Sequence, residues 1–230
     1  TFVEAMENSC NPVFAMLADQ MTGERFHKFL TAFGFGSRTG IEFPGESPGA
    51  IPEPNARVLR WANVGFGQGI GATALQMVMA ASAIANGGEL MKPYLVKEVR
   101  APDGTVVESH SPEVVRRAIS SKTAEELRGV LRSVVENGSG RQAEVPGYLV
   151  AGKTGTAQIA SPQGGYLQGP KSNMASFLAF APVDDPVFAG IVMLYKVGQE
   201  PSYGGVWAAP VFGRIAEEAL TYMGVPGRQG

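Results

Sequence analysis

Within GYLVAGKTGTAQIA, residues 147–160, Lys153, Thr154 and Thr156 bring one amine and two hydroxyls close together around Gly155. An ammonium can hold a substrate carboxylate and favour movement of a proton through a neighbouring hydroxyl. Side chains alternate along an extended backbone, so Thr154 and Thr156 present their hydroxyls on one side. Gly155 leaves room for a substrate backbone to approach the strand. Near the start, Ser9-Cys10-Asn11 supplies another hydroxyl and a carboxamide. These are the types acyl transfer needs: an activated hydroxyl, a route for protons, and donors where a carbonyl oxygen becomes anionic.

The same letters satisfy a phosphate loop, G-x-x-x-x-G-K-[ST], from Gly147 to Thr154. That reading requires a buried strand before the loop and a helix after it, with the helix amides facing the phosphates. Upstream stands NGSGRQAEVP, polar, Gly-rich and closed by Pro146. Downstream, Ser161-Pro162 and Gly164-Gly165 stop any helix early. Tyr148, Leu149, Val150 and Ala151 suit a pleated strand better than a flexible cradle. No second apolar strand ends in a well-placed Asp for magnesium. The extended reading is preferred.

The elements that must position these groups follow from the pattern. Asn11-Pro12 reads as a helix start, Asn as cap and Pro first, followed by Val13, Phe14, Met16, Leu17 and Met21. A second helix begins near Thr22, carries Phe26, Phe29, Leu30 and Phe33, and stops at Gly34. These Met and Phe positions are expected in the core. A Pro/Gly loop fills 37–54, and the Gly-rich run at 65–71 reads as a turn. Residues 72–85 form a continuous apolar helix, and a strand pair is expected around Asp103-Gly104. Residues 121–135 are amphipathic, with Leu127, Val130, Leu131 and Val134 on one face.

From there the character changes. Segments 148–159, 172–183 and 186–197 read as strands, the last two antiparallel neighbours across Asp184-Asp185-Pro186. Pro210 opens a helix to about residue 223, with Phe212, Ile215, Ala219 and Tyr222 inward and Arg214 paired with Glu218 outside. Helices followed by strands and a closing helix argue for α+β: a mostly helical lobe over 1–140 and a sheet over 141–230.

Composition narrows the classes. A net charge of −2 over 230 residues, with no basic run, gives no case for nucleic acid. Two histidines and one cysteine supply a zinc site poorly, and no metal or organic cofactor is expected. No charge occurs between Arg60 and Glu89, yet only 72–85 is continuously apolar, short of the ~20 residues a membrane span needs. TFVEAMENS lacks the pattern of a signal peptide and reads as the tail of a helix already under way, so the chain is expected to begin inside a domain.

The ordered motifs resemble the transpeptidase domain of class B penicillin-binding proteins, division and sporulation branch. AGKTGTAQ at 151–158 is similar to the family's third motif and SCN at 9–11 to its second. GFGSRTGIEFPGE, GQGIGATALQMVMAASAIANGG, FAPVDDPVFAGIVML and YGGVWAAPVFGRIAEEAL follow the family's order over nearly the whole chain. The resemblance implies the penicillin-binding, β-lactamase-like fold: an antiparallel sheet packed by helices, lacking its N-terminal part. It implies a D,D-transpeptidase that cross-links peptidoglycan stem peptides through a serine acyl-enzyme. Ser9 would relay a proton, Asn11 would hold the substrate's peptide carbonyl, and Lys153 would complete the catalytic set. Thr154, Gly155, Thr156 and Gln158 would bind substrate, with the Thr156 N–H in the oxyanion hole.

The family's nucleophile lies in Ser-x-x-Lys, and no Ser here is followed three positions later by Lys. The nucleophile is therefore expected on a segment upstream of residue 1, and the chain alone should be inactive. Implied partners are a D-Ala-D-Ala stem peptide, β-lactams, that upstream segment and a lipid-linked glycan polymerase. The implied location is the outer face of the bacterial cytoplasmic membrane, held by an N-terminal anchor outside this chain. Alternatives are a β-lactamase-like hydrolase, and a non-catalytic β-lactam sensor or binding domain. Plainer roles also stand: Ser9 and Asn11 as helix caps, Lys153 as an edge-strand lysine, Cys10 as packing, and His27 and His110 as exposed residues.

Overall fold

Thr1 and Glu4 form a reciprocal cap that starts α1 (Phe2–Glu7) in a computed structural model that describes residues 1–198 and 200–228. α2 (Asn11–Gln20) begins one residue before the expected start. Cys10 occupies the cap position without a side-chain bond, so Asn11 is the first helical residue and not the cap. The Thr22 hydroxyl accepts the Arg25 N–H and starts α3 (Gly23–Ala32). Ahead of the Gly-rich turn lies a helix the pattern did not announce, α4 (Val58–Gly65), which buries Trp61 and Val64; residues 66–71 then form no helix, as expected. Gly65 allows it to lie on α2, because a Cβ there would come 2.6 Å from the Phe14 carbonyl oxygen.

Thr73 and Gln76 cap α5 (Ala74–Ala85) reciprocally. The buried Gln76 amide also donates to the carbonyls of Ser37 (2.8 Å) and Pro48 (2.9 Å), fastening the Pro/Gly loop. Then come β1 (Glu89–Met91), β2 (Glu98–Arg100), β3 (Val106–Ser109) and β4 (Val114–Arg117). β2 and β3 are the expected pair, and β1 with β4 forms a second that the sequence pattern did not announce. α6 (Ser121–Glu136) starts at the Ser120 cap.

The main sheet consists of β5 (Ala151–Gln158), β6 (Asn173–Ala181) and β7 (Phe188–Val197), antiparallel in that order. The chain closes with α7 (Gly204–Trp207) and α8 (Ala209–Tyr222). Alternation along β6 feeds two cores. Phe177, Ala179 and Ala181 pack with Phe212, Ala216 and Leu220 of α8, while Phe180 packs with Ala81 and Ala85 of α5 and Leu131 of α6. The buried rings of Phe177 and Phe212 meet edge-on at 5.4 Å, each side chain contributing roughly 2–3 kcal/mol by burial. The sheet is thus covered on both faces.

Four expectations need correction. α8 buries Ala209, Phe212, Gly213, Ala216 and Leu220, whereas Ile215 is 47% and Tyr222 93% exposed. Small residues set this face because α8 lies close to the chain around Ala143, where a Cβ on Gly213 would already be at 3.4 Å. Arg214 and Glu218 are not among the ion pairs of the described residues. Many apolar residues of the early helices are not core: Met16 is 63% exposed and α3 has no buried residue. The periodicity marked an apolar face correctly, but its cover is partial: Phe14 meets Phe2 and Phe26 meets Trp61, while Met16, Leu17 and Phe29 stay exposed. His27 and His110 are both half-buried rather than exposed, His110 stacked on Tyr94 with Glu108 3.4 Å from its Nε2.

Candidate active site

β5 has one paired and one free edge, and two hydrogen bonds reveal which residues face each. The Leu149 carbonyl accepts the Val183 N–H (2.9 Å), and the Ile159 N–H donates to Ser172 (2.8 Å). Odd-numbered residues therefore bond toward β6. By the two-residue period, the backbone groups of Thr154 and Thr156 point to the opposite edge, where no strand pairs among the described residues. Lys153 Nζ reaches that edge, donating to the Thr154 carbonyl at 3.1 Å. Lys153-Thr154 thus lies within a strand and opens no helix, which excludes the phosphate loop.

Lys153 also donates to Ser9 Oγ at 2.8 Å and approaches Thr154 Oγ1 at 3.4 Å. Burial pushes its ammonium down to about 8, and among the described residues no carboxylate pairs with it. Ser9 is placed by the tight junction of α1 and α2. Its φ is +50°, while the Cys10 N–H folds back to the Ala5 carbonyl at 2.9 Å. A serine in this left-handed conformation is uncommon and is held by its surroundings.

The other expected residues lie outside the Lys153–Ser9 contact. Asn11 is exposed at the start of α2, with no hydrogen bond from its carboxamide among the described residues. The Thr156 hydroxyl accepts the Gly204 N–H at 3.3 Å, which ties α7 to β5. Gln158 stands exposed at the far end of β5, opposite Asn173, outside the Ser9–Lys153 cluster. Gly155 has a different reason from the expected one. A Cβ there would lie 2.5 Å from Ser176 Oγ on β6, and a Cβ on Gly204 would lie 2.5 Å from the Gly155 carbonyl oxygen. Its bareness thus also serves internal packing. Gly152 is likewise filled by Ala179 and Phe177.

Two participants escaped the sequence pattern. The Ser139 hydroxyl lies 2.8 Å from Thr154 Oγ1, and its N–H donates to the Glu7 carbonyl at 2.9 Å. The Glu7 carboxylate accepts the Ser133 hydroxyl, holding the end of α1 to α6. Ser139 sits in NGSG, whose composition says only loop, and its one available signal was its position just after a helix that must turn toward β5.

Residues 1–217 match the penicillin binding protein transpeptidase domain. The chain belongs to that family. It is 39% identical over 231 residues to stage V sporulation protein D of Bacillus subtilis, covering 100% of this chain and 35% of that protein. It is 39% identical to penicillin-binding protein PbpB of Mycolicibacterium smegmatis, covering 95% of this chain and 35% of that one. Among solved structures, penicillin binding protein 3 of Mycobacterium tuberculosis complexed with ampicillin superposes with a TM-score of 0.88 at 34% identity, covering 100% of this chain and 52% of that chain. The chain therefore spans about a third of the length of these relatives. Its α+β architecture is that of the penicillin-binding transpeptidases.

Proposed function

We propose that this chain forms the Lys-Thr-Gly side of the active site in a peptidoglycan D,D-transpeptidase. The carrying observation is the 2.8 Å contact from Lys153 Nζ to Ser9 Oγ, made beside the free edge of β5. A serine hydroxyl from a segment outside residues 1–230 attacks the penultimate D-Ala carbonyl of a stem peptide. A Ser–O–C bond forms, the peptide C–N bond breaks, and D-Ala leaves with a proton relayed through Ser9. An amine of a neighbouring stem then takes the acyl group and releases the serine.

The residues here supply binding and proton handling. Lys153, Thr154 and Thr156 hold the terminal carboxylate. The Thr156 N–H, on the free edge by the register, donates to the oxyanion. Asn11 holds a peptide carbonyl of the substrate, and Gln158 lines the far end of the rim. Gly155 lets α7 and β6 close on the strand behind the site. β-Lactams enter by the same route, their carboxylate on the same groups. In this reading the enzyme works outside the cytoplasmic membrane, anchored by an N-terminal segment and served by a lipid-linked glycan polymerase.

The test uses the protein extended upstream to include a Ser-x-x-Lys segment. Incubation with a fluorescent penicillin, followed by gel and intact mass, should give a one-to-one adduct lasting hours. D-Ala should be released from a stem pentapeptide. No adduct would overturn the proposal, and rapid turnover of the adduct would reassign the chain to a β-lactam hydrolase.

A further inference from the structure

Ser139 is the only described side chain besides Lys153 bonded to the Thr154 hydroxyl. A hydroxyl oxygen has two acceptor positions and one proton. The ammonium of Lys153 can only donate, so at 3.4 Å it occupies one acceptor position of Thr154 Oγ1. Ser139 Oγ, at 2.8 Å, can donate into the other. With Ser139 as the donor both acceptor positions are filled from inside, and the Thr154 proton is left for an acceptor outside this cluster. Hydrogen bonds in such a chain polarise one another, so Ser139–O–H to Thr154–O–H to an anion is stronger than the last bond alone.

The backbone around Ser139 is fixed more firmly than its exposed side chain needs. Its N–H is bonded to Glu7, and Gly138 is pressed on that residue, where a Cβ would lie 2.6 Å from the Glu7 carbonyl oxygen. On the other side Gly205 closes on Ser139, a Cβ there falling 2.2 Å from the Ser139 carbonyl oxygen. Three elements thus converge on one loop serine: the end of α1, the end of α6 and the start of α7. Their common product is the placement of Ser139 Oγ against Thr154.

We propose that Ser139 is a positioning residue that turns the Thr154 hydroxyl outward as a donor, and so sets how strongly the site grips a substrate carboxylate. This rests on the proposed function, since it names the ligand group as the carboxylate of a stem peptide or penicillin. The role is distinct from scaffolding: removing the hydroxyl weakens the response to the carboxylate and spares ligands in which that charge is masked.

The experiment uses the upstream-extended protein, wild type, Ser139→Thr and Ser139→Val. Thr and Val match in size, so they differ only in the hydroxyl. Second-order acylation constants are measured for benzylpenicillin and for its methyl ester, with thermal midpoints as a folding control. Ser139→Val should slow benzylpenicillin by about tenfold, the loss of one hydrogen bond to charge, and leave the ester rate within about twofold. Ser139→Thr should retain the wild-type ratio of acid to ester. Equal ratios in Thr and Val, or an equal slowing of both ligands in Val, would overturn the role of Ser139 while leaving the proposed function standing. A wild-type protein that neither ligand acylates would overturn both.

Discussion

Lys153 Nζ lies 2.8 Å from Ser9 Oγ, although 144 positions separate the two residues in sequence. The contact joins the α1–α2 junction to the free edge of β5, and it brings a buried ammonium to a hydroxyl held at positive φ. If the charged form of Lys153 binds the ligand carboxylate, acylation should fail as that charge is lost. For the upstream-extended protein, kcat/KM-type acylation constants for a penicillin should fall as pH rises through about 8, the value to which burial lowers this lysine. Lys153→Met should reduce the constant by about 10²-fold at neutral pH. A flat profile from pH 7 to 10 would refute the assignment.

The same burial has a stability consequence of definite sign. The folded chain releases the Lys153 proton near 8, while the unfolded chain keeps it to the ordinary 10.5. Between these values the unfolded state binds more protons, so stability rises with pH. Urea unfolding of wild type and Lys153→Met at pH 7.5 and 10 isolates the effect. Wild type should gain on the variant by at most about 3 kcal/mol over that interval.

Ser9 offers a separation of strain from chemistry. Ser9→Ala and Ser9→Gly both remove the hydroxyl that Lys153 contacts, but only glycine adopts φ of +50° without penalty. Ser9→Gly should therefore be about 1 kcal/mol more stable than Ser9→Ala by thermal or chemical unfolding. Both should be impaired in acylation.

Glycines on two helices should respond in opposite directions. Gly129 lies in α6 with nothing near its missing Cβ, so Gly129→Ala should stabilise by about 1 kcal/mol. Gly204→Ala would place a carbon 2.2 Å from the Ser176 carbonyl oxygen, forcing α7 off β5. It should destabilise by about 2 kcal/mol. It should also loosen the Gly204 N–H from Thr156, slowing acylation.

β7 closes the sheet with an edge that no strand pairs among the described residues. Expressed as residues 1–230, the chain should self-associate in a concentration-dependent way through that edge and the exposed apolar positions of the early helices, Met16 among them. Sedimentation velocity across a hundredfold concentration range, about micromolar to 100 micromolar, checks this. A single monomeric species throughout would contradict it.

Much of the site was legible because strand chemistry is local. Alternation over 148–159 identifies β5, and Lys153, Thr154 and Thr156 follow from its period. Their meeting with Ser9 was available only through the family's order of motifs, since nothing local to Ser9-Cys10-Asn11 points across the molecule. Three kinds of information were out of reach. Periodicity gives a helix an apolar face but not a partner, so the exposed Met16 and Ile215 were both misjudged. Glycine-rich composition hid Ser139, because its role depends on what lies against it. The packing of Ser176 and α7 around Gly155 was likewise invisible in sequence. In each case the missing fact was the identity of a neighbour distant in sequence.

The oxygens around Lys153 are a hydroxyl, a threonine side chain and a peptide carbonyl, and none carries a formal charge. Under the proposed function, an incoming carboxylate would therefore displace no counter-ion among the described residues. Inorganic anions meet the same welcome. Phosphate or sulfate in an assay buffer would act as a weak competitor, so rates compared between laboratories would differ with the choice of salt unless the anion is held constant.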